Sequence, residues 1–564
     1  MGDGSRSEAG HVDVLIVGAG VSGIGAAHHL REHFGDHSVV VLDAQERHGG
    51  TWWTQRFPGV RSDSDLYTYA YRFKPWHGPS IASGDKILRY LDEVVAEDGL
   101  GPHLRPRHRV TAAHWSSADR CWTVDVTRDD TGEDLRFTTG FLWMCAGYYR
   151  HGDPYRPEWP GTERFAGRIV HPMSWPEDLD LTGRRVVVIG SGSTAATLIP
   201  AIAEQAAHVT MLQRSPSYYI AKPTVTELGT TLEALDIPRA WTSEILRRQF
   251  VSQTQWLART ALEDPQLVHD YLLENVRPLL PEDFDVEQHL TPRYRPWQQR
   301  VCIVPDGDLF AALREKKASI VTDTVETFTE HGIRLRSGEE LPADVVVSAT
   351  GFNLAVFGDV ALSVDGEPVD VADRVTWRGL MLSGVPNMAY VFGYLRHSWT
   401  LRVDLVADVV CRLLAHLRER GATTVTPTLR AQDADMALLP WSDPANFNPA
   451  TSRAPCTCST ARATARRGTT CSSTTRNSTS SPTSIWRTAR CGTREARGSP
   501  GARAGRRSGS PAIGALGRYR AESECQNGGG SGSSGGGRPG ASPAVPARET
   551  LAVPVGEAVP GGLR

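Results

Sequence analysis

The sequence predicts an α/β protein with two doubly wound units, the second interrupted by a run of helices. Three observations carry this prediction. A strand, a Gly-rich turn, a helix and a second strand follow one another near the N-terminus, the same pattern returns in mid-chain, and a long stretch of helical apolar spacing comes after the second copy.

The first copy is "VDVLIVGAGVSGIGAAHHLREHFGDHSVVVLDA". Gly18, Gly20 and Gly23 form the G-x-G-x-x-G set, which serves a tight turn, close backbone approach to a pyrophosphate, and close packing of helix on strand. Asp43 ends the second strand, where a carboxylate accepts hydrogen bonds from ribose hydroxyls. The bare glycine pattern is weak evidence, but with its strand, helix and acid in place it predicts a Rossmann-type dinucleotide site. Strand-like runs follow between Arg109 and Tyr149, including "CWTVDVTRD" and "RFTTGFLWMCAG".

The second copy is "RRVVVIGSGSTAATLIPAIAEQAAHVTMLQRSP", with Gly190, Gly192 and Ala195 in the small-residue positions and Ser193 opening the helix. Its second strand ends at Gln213 and Arg214. An acid there would repel the 2′-phosphate of NADP, whereas a guanidinium binds it through two hydrogen bonds, so this site is expected to take NADPH. Hydride transfer to a tightly held flavin is the simplest chemistry joining two dinucleotides, so the first unit is expected to hold FAD. A disulfide reductase would need a redox cysteine pair. Cys121, Cys145, Cys302 and Cys411 show neither CxxC nor metal-ligand spacing and read as reduced, buried thiols.

Between the second copy and Arg300 lies "TLEALDIPRAWTSEILRRQFVSQTQWLARTALEDPQLVHDYLLENVRPLL", the expected helical insertion. Further on, "ADVVVSATGF" supplies a late strand and a turn at Gly351, and "SWTLRVDLVADVVCRLLAHLRERG" reads as a helix with Ser398 as its N-cap and Gly421 just beyond its end. If that helix points its N-terminus at the flavin, its dipole favours negative charge there. The expected division is 11–150 and 341–449 for the FAD-binding domain, 151–222 and 297–340 for the NADPH-binding domain, and 223–296 for the insertion.

Composition narrows the function classes. A formal charge of −3 over 564 residues gives no electrostatic case for nucleic acid or an anionic membrane. No apolar run is long enough to span a bilayer, and "MGDGSRSEAG" has no signal-peptide h-region, so a cytoplasmic address is expected. The composition then changes abruptly. From Ala450 onward there is no Asp, Lys or Phe, and Arg, Ser, Thr, Gly, Ala and Pro dominate, which is the composition of a disordered tail. A shifted reading frame gives the same signature. Restoring one G after the codon for Pro449 permits Gly-Tyr-Leu-Thr-Arg-Ala-Leu-His-Leu-Leu-His-Arg-Gln-Gly-Asp-Arg, which has helical apolar spacing. The segment 450–564 is therefore read as a disordered, frameshifted tail with no chemistry assigned.

Between the two units stands "FAGRIVHPMSWP". Phe165, Gly167, His171, Trp175 and Pro176 fit the F-x-G-x-x-x-H-x-x-x-W-[P/D] fingerprint, and on this basis the chain resembles the Baeyer–Villiger monooxygenases. The segments "GGTWWTQRFPGVRSDSDLYTYAYRFKPW", "PWQQRVCIVPDGDLF" and "ATGF" extend the resemblance over roughly 11–449, closest to the branch of class B flavoprotein monooxygenases that includes ethionamide-activating enzymes. The resemblance implies a glutathione-reductase-like FAD domain, an NADPH domain, and capture of dioxygen by reduced FAD as a C4a-peroxyflavin. Attack of that group on a ketone then gives an ester or lactone. It places the catalytic roles on Arg300 and Asp63, sets Gly50, Thr51 and Trp52 beside the flavin, and makes His171 an organising residue. Two alternatives stay open: oxygenation of sulfur or nitrogen in a thioether or thioamide, and a nonproductive cofactor-binding remnant.

Overall fold

The computed structural model describes residues 7–429, 438–440, 447, 462–464 and 491–495. Its first sheet forms around the opening strand Ser7–Val17, whose Val14, Leu15 and Ile16 are fully buried. Val39–Leu42 lies parallel on one side of it and Asp134–Met144 parallel on the other. Asp134–Met144 also pairs antiparallel with Cys121–Arg128, which pairs antiparallel with His108–Ser116, so the strand-like runs expected between Arg109 and Tyr149 form an antiparallel meander continuous with the parallel sheet. Met388–Tyr390 adds to the end of Asp134–Met144, bringing the chain after the second unit back to the first.

Three helices pack on one face, Gly84–Glu97 among them with Tyr90, Leu91, Val94 and Val95 in the core. Val21–His33 buries Ile24, Ala26, Ala27 and Leu30, and Thr400–Arg420 packs across it with Val403, Val406 and Val410 in the same core. Ser398 does not cap the Thr400–Arg420 helix, because its hydroxyl lies 2.5 Å from that of Thr68 and Trp399 occupies the N-cap position without a side-chain hydrogen bond. Thr400 Oγ1 donates instead to the carbonyl of Tyr69 at 2.5 Å, so burial of this turn against the Leu66–Tyr69 helix replaces a solvent-side cap. Gly421 ends the helix in the left-handed region, as expected.

The second sheet is parallel throughout, in the order Ala318–Thr322, His208–Gln213, Arg185–Ile189, Val345–Ser348, Arg168–Val170. One expectation changes here. Val345–Ser348, assigned by sequence to the first unit from 341 onward, lies inside this second sheet. A run of valines buried on both faces is what an interior parallel strand requires. The fingerprint segment contributes the edge strand Arg168–Val170 of the same sheet, within the stretch 151–222 assigned to this unit. The true crossings are Tyr149–Pro154 and Phe352–Leu354, which pair antiparallel as a two-stranded ribbon.

The insertion is helical, with Glu227–Ala234, Arg239–Glu263, Pro265–Val276 and Val286–Leu290. The strands on either side of it, Tyr219–Lys222 and Cys302–Pro305, pair parallel, so it leaves and re-enters at neighbouring points. Among the described residues no helix is long and apolar enough to cross a membrane. Of the tail, Arg462–Thr464 pairs with Val375–Trp377 and Leu438–Pro440, and Cys491–Glu495 pairs with Ala422–Pro427. The reading of this tail as disordered and frameshifted otherwise lies outside the described residues.

Candidate active site

Both Gly-rich turns open onto one cavity of about 1280 Å³, which Gly18, Gly20, Gly190 and Gly192 line together. Gly23 sits beneath the first turn, where an added Cβ would fall 1.8 Å from the Gly18 carbonyl oxygen, so helix and strand could not approach with any other residue. At Gly192 nothing lies within 4 Å of such a Cβ. That open space at the start of the Ser193–Ile202 helix fits a pyrophosphate held by helix N–H groups.

Asp43 ends its strand and lines the cavity as expected, but its carboxylate is already engaged. Oδ2 accepts the Ala19 N–H at 2.5 Å and Oδ1 that of Gln45 at 2.7 Å, and burial pushes its carboxyl up. Each oxygen keeps a second lone pair for a ribose hydroxyl. Gly50 caps the short helix Thr51–Thr54, and Gly50, Thr51 and Trp52 all line the cavity, with Trp52 Nε1 donating to Tyr69 Oη at 2.6 Å. In the second unit the Gln213 amide is taken up by the His289 carbonyl at 2.7 Å and Thr322 Oγ1 at 2.8 Å, which leaves Arg214, exposed and on the cavity wall, as the cation at the strand end.

Asp63 and Arg300, 237 positions apart in sequence, meet in this cavity, with Arg300 Nη2 2.9 Å from Asp63 Oδ2. Ser193 Oγ donates to the same carboxylate oxygen at 3.2 Å. The two side chains are 37% and 38% accessible, and because both line the cavity that exposure includes its interior. Asp63, followed by weaker contributions from Tyr148, Tyr149 and Cys302, holds the guanidinium even further above its ordinary value, so it is charged at every working pH.

Sequence reasoning missed the aromatic wall beside this pair. Tyr148 Oη donates to Tyr149 Oη at 2.8 Å, Tyr148 stacks on Trp399 with centroids 5.1 Å apart, and burial pushes both phenols up. These tyrosines follow the C-terminal end of a strand of the first sheet, where ligands of doubly wound folds sit, and that position was the available signal. Trp399 Nε1 in turn donates to Ser22 Oγ at 2.7 Å, which sets the start of the Thr400–Arg420 helix beside the first turn.

The fingerprint residues do not gather around Asp63 and Arg300. Phe165 is buried against Phe328, ring to edge at 5.7 Å, and an added Cβ at Gly167 would meet the Asp344 carbonyl oxygen at 2.4 Å. Trp175 packs on the second unit's core. His171 Nδ1 accepts the Met173 N–H at 3.2 Å, so the ring hydrogen is on Nε2 and donates to the Gly351 carbonyl at 3.3 Å. His171 thus ties the edge strand to the second crossing. Burial pushes its pKa down to about 4 from 6.5, so the folded state binds fewer protons than the unfolded one between these values. Its contribution to stability is complete above 6.5 and is lost as pH falls toward 4, to a total of about 3 kcal/mol. Urea unfolding of His171→Gln against the unaltered protein across this window is expected to show a shallower loss of stability at low pH. Parallel profiles would contradict the assignment.

Residues 69–358 match the flavin-binding monooxygenase-like family, and residues 16–94 match the NAD(P)-binding Rossmann-like domain. The FAD-containing monooxygenase EthA of Mycolicibacterium smegmatis is 45% identical over 441 residues, covering 78% of this chain and 88% of its own length. An oxidized steroid monooxygenase bound to NADP superposes with a TM-score of 0.63 at 27% identity, covering 74% of this chain and 88% of that one. An ε-caprolactone-bound cyclohexanone monooxygenase has a TM-score of 0.62 at 22% identity, covering 74% and 90%, and shares the fold.

Proposed function

The chain belongs to the flavin-binding monooxygenase-like family, a flavin-dependent monooxygenase using FAD and NADPH, and from that premise we propose that it inserts one oxygen atom of dioxygen into a ketone, giving an ester or lactone. The observation that carries this reading is the Asp63–Arg300 pair at 2.9 Å in a cavity shared by both nucleotide turns.

FAD, reduced by NADPH, supplies the activation of dioxygen when bound. The first turn and the Val21–His33 helix would hold its pyrophosphate and Asp43 its ribose, with Thr51 and Trp52 on the same cavity wall. The second turn with Ser193 would hold that of NADPH, and Arg214 would take the 2′-phosphate. Arg300 stabilises negative charge on oxygen near the substrate carbonyl, before and after attack. It is fixed in advance, so no reorganisation is needed at the moment of reaction. Asp63 keeps the guanidinium aimed, and Ser193 keeps Asp63 aimed. Tyr148, Tyr149 and Trp399 limit access of water.

Attack on a carbonyl is promoted by negative charge on the attacking oxygen, whereas oxygenation of a thioether, where oxygen is the electrophile, is not. A permanently charged guanidinium therefore favours the ketone reading. Incubating the FAD-loaded protein with NADPH, dioxygen, a linear ketone and a thioether, and quantifying ester, sulfoxide and hydrogen peroxide, separates the two. Ester is expected to be the main product. Sulfoxide without ester would overturn the assignment.

A further inference from the structure

The loop that carries Asp63, "RFPGVRSD", belongs by sequence to the first unit, yet Phe57, Gly59, Val60 and Arg61 contact the second, while the Arg56 and Ser62 side chains stay with the first. Phe57 is buried in the same cluster as Ile199, Ile202 and Met211, and Val60 packs on that cluster. Gly59 lies against the Ser193–Ile202 helix at φ +74, where an added Cβ would be 2.5 Å from Ala201 Cβ and 3.1 Å from the Thr197 carbonyl oxygen. Arg61 forms a two-pronged ion pair with Asp308, Nη1 to Oδ2 at 2.5 Å and Nη2 to Oδ1 at 3.1 Å. Asp308 opens the Asp308–Arg314 helix, six residues beyond Cys302 on the strand that follows Arg300. To the first unit the stretch is tied by Ser62 N–H to the Ala82 carbonyl, Gly84 N–H to the Val60 carbonyl, an Arg61–Ser83 bridge, Ala82 N–H to Ser62 Oγ and Arg56 Nε to the Trp53 carbonyl.

We propose that Arg61 and Asp308 form a positioning clip that makes the Asp63 loop part of the second unit, so that the Asp63 carboxylate keeps its place relative to Arg300 and Ser193. The chemistry favours this. A forked guanidinium–carboxylate pair fixes direction as well as distance, and it grips the loop two residues from Asp63. Without the clip, a carboxylate two residues beyond Arg61 could turn by more than the small displacements that reacting groups tolerate. Phe57 and Gly59 set the loop's depth, and the clip sets its rotation. Asp308 does not line the cavity, so it acts through Arg61 and Asp63 and is a positioning residue.

This inference rests on the reading of Asp63 and Arg300 given above, and its test separates the two. Asp308→Asn in the full-length FAD-loaded protein is expected to lower oxygenated product per NADPH about threefold, with hydrogen peroxide making up the difference. The KM for NADPH should stay within about twofold. Deuterium uptake of the 56–66 backbone, measured without substrate, should quicken about fivefold. The exchanged pair Arg61→Asp with Asp308→Arg should recover coupling and slow exchange, which a merely destabilised protein would not do. Unchanged exchange, or faster exchange with intact coupling, would overturn the clip. A KM for NADPH raised with intact coupling would show instead that Arg61 serves the nucleotide and would also overturn it. If the unaltered enzyme forms no oxygenated product from any ketone or thioether, it is the functional reading that fails, and the exchange result still decides whether the clip exists.

Discussion

Replacing Arg300 with Ala is expected to stop ester formation while leaving a protein that binds FAD and oxidises NADPH. Its guanidinium touches Asp63 and stands among Tyr148, Tyr149 and Cys302, with no second cation assigned to the same task. Loss of one preorganised charge donor at a developing oxyanion costs about a hundred- to a thousandfold in rate. The cost here should fall on oxygen transfer, because the nucleotide turns are built from other residues. Electrons from NADPH then leave as hydrogen peroxide. Arg300→Lys should recover little, since an ammonium supplies the charge without the planar fork that faces a carboxylate. Ester, peroxide and NADPH measured together give the answer, and ester formation within about tenfold of the unaltered enzyme would remove Arg300 from the mechanism.

Arg214→Glu is expected to raise the KM for NADPH about a hundredfold and to leave that for NADH nearly unchanged. A charge-assisted fork to a phosphate is lost and a like charge takes its place, whereas NADH has no group there to feel either change. Gln213 cannot compensate, because its amide is committed to His289 and Thr322. Steady-state kinetics with both nucleotides test this. An equal rise in both KM values would point to a damaged fold rather than a lost phosphate contact.

The parts of this site that are local in sequence could be read from it. Each Gly-rich turn is held by a strand and a helix that are its immediate neighbours, so spacing alone placed Gly18, Gly20, Gly190 and Gly192 on the cavity. The Asp63–Arg300 contact came only from resemblance, because nothing in either residue's neighbourhood encodes a partner so far along the chain. Val345–Ser348 was put in the wrong unit because a buried run of valines reads the same in either parallel sheet. Ser398 looked like a cap because local competition for backbone N–H groups favours serine there, yet Thr68 reached its hydroxyl through tertiary packing. The fingerprint was visible as a motif while its structural work was not. An edge strand and a histidine bonded to the opposite crossing leave no periodic signature.

The most direct test of oxygen insertion is the ketone incubation run under isotopically heavy dioxygen, with the ester examined by mass spectrometry. An ester carrying one heavy oxygen atom in the inserted position is expected, formed at the expense of NADPH and lost in Arg300→Ala. An ester without the label, or no ester while a thioether is converted to sulfoxide, would contradict it.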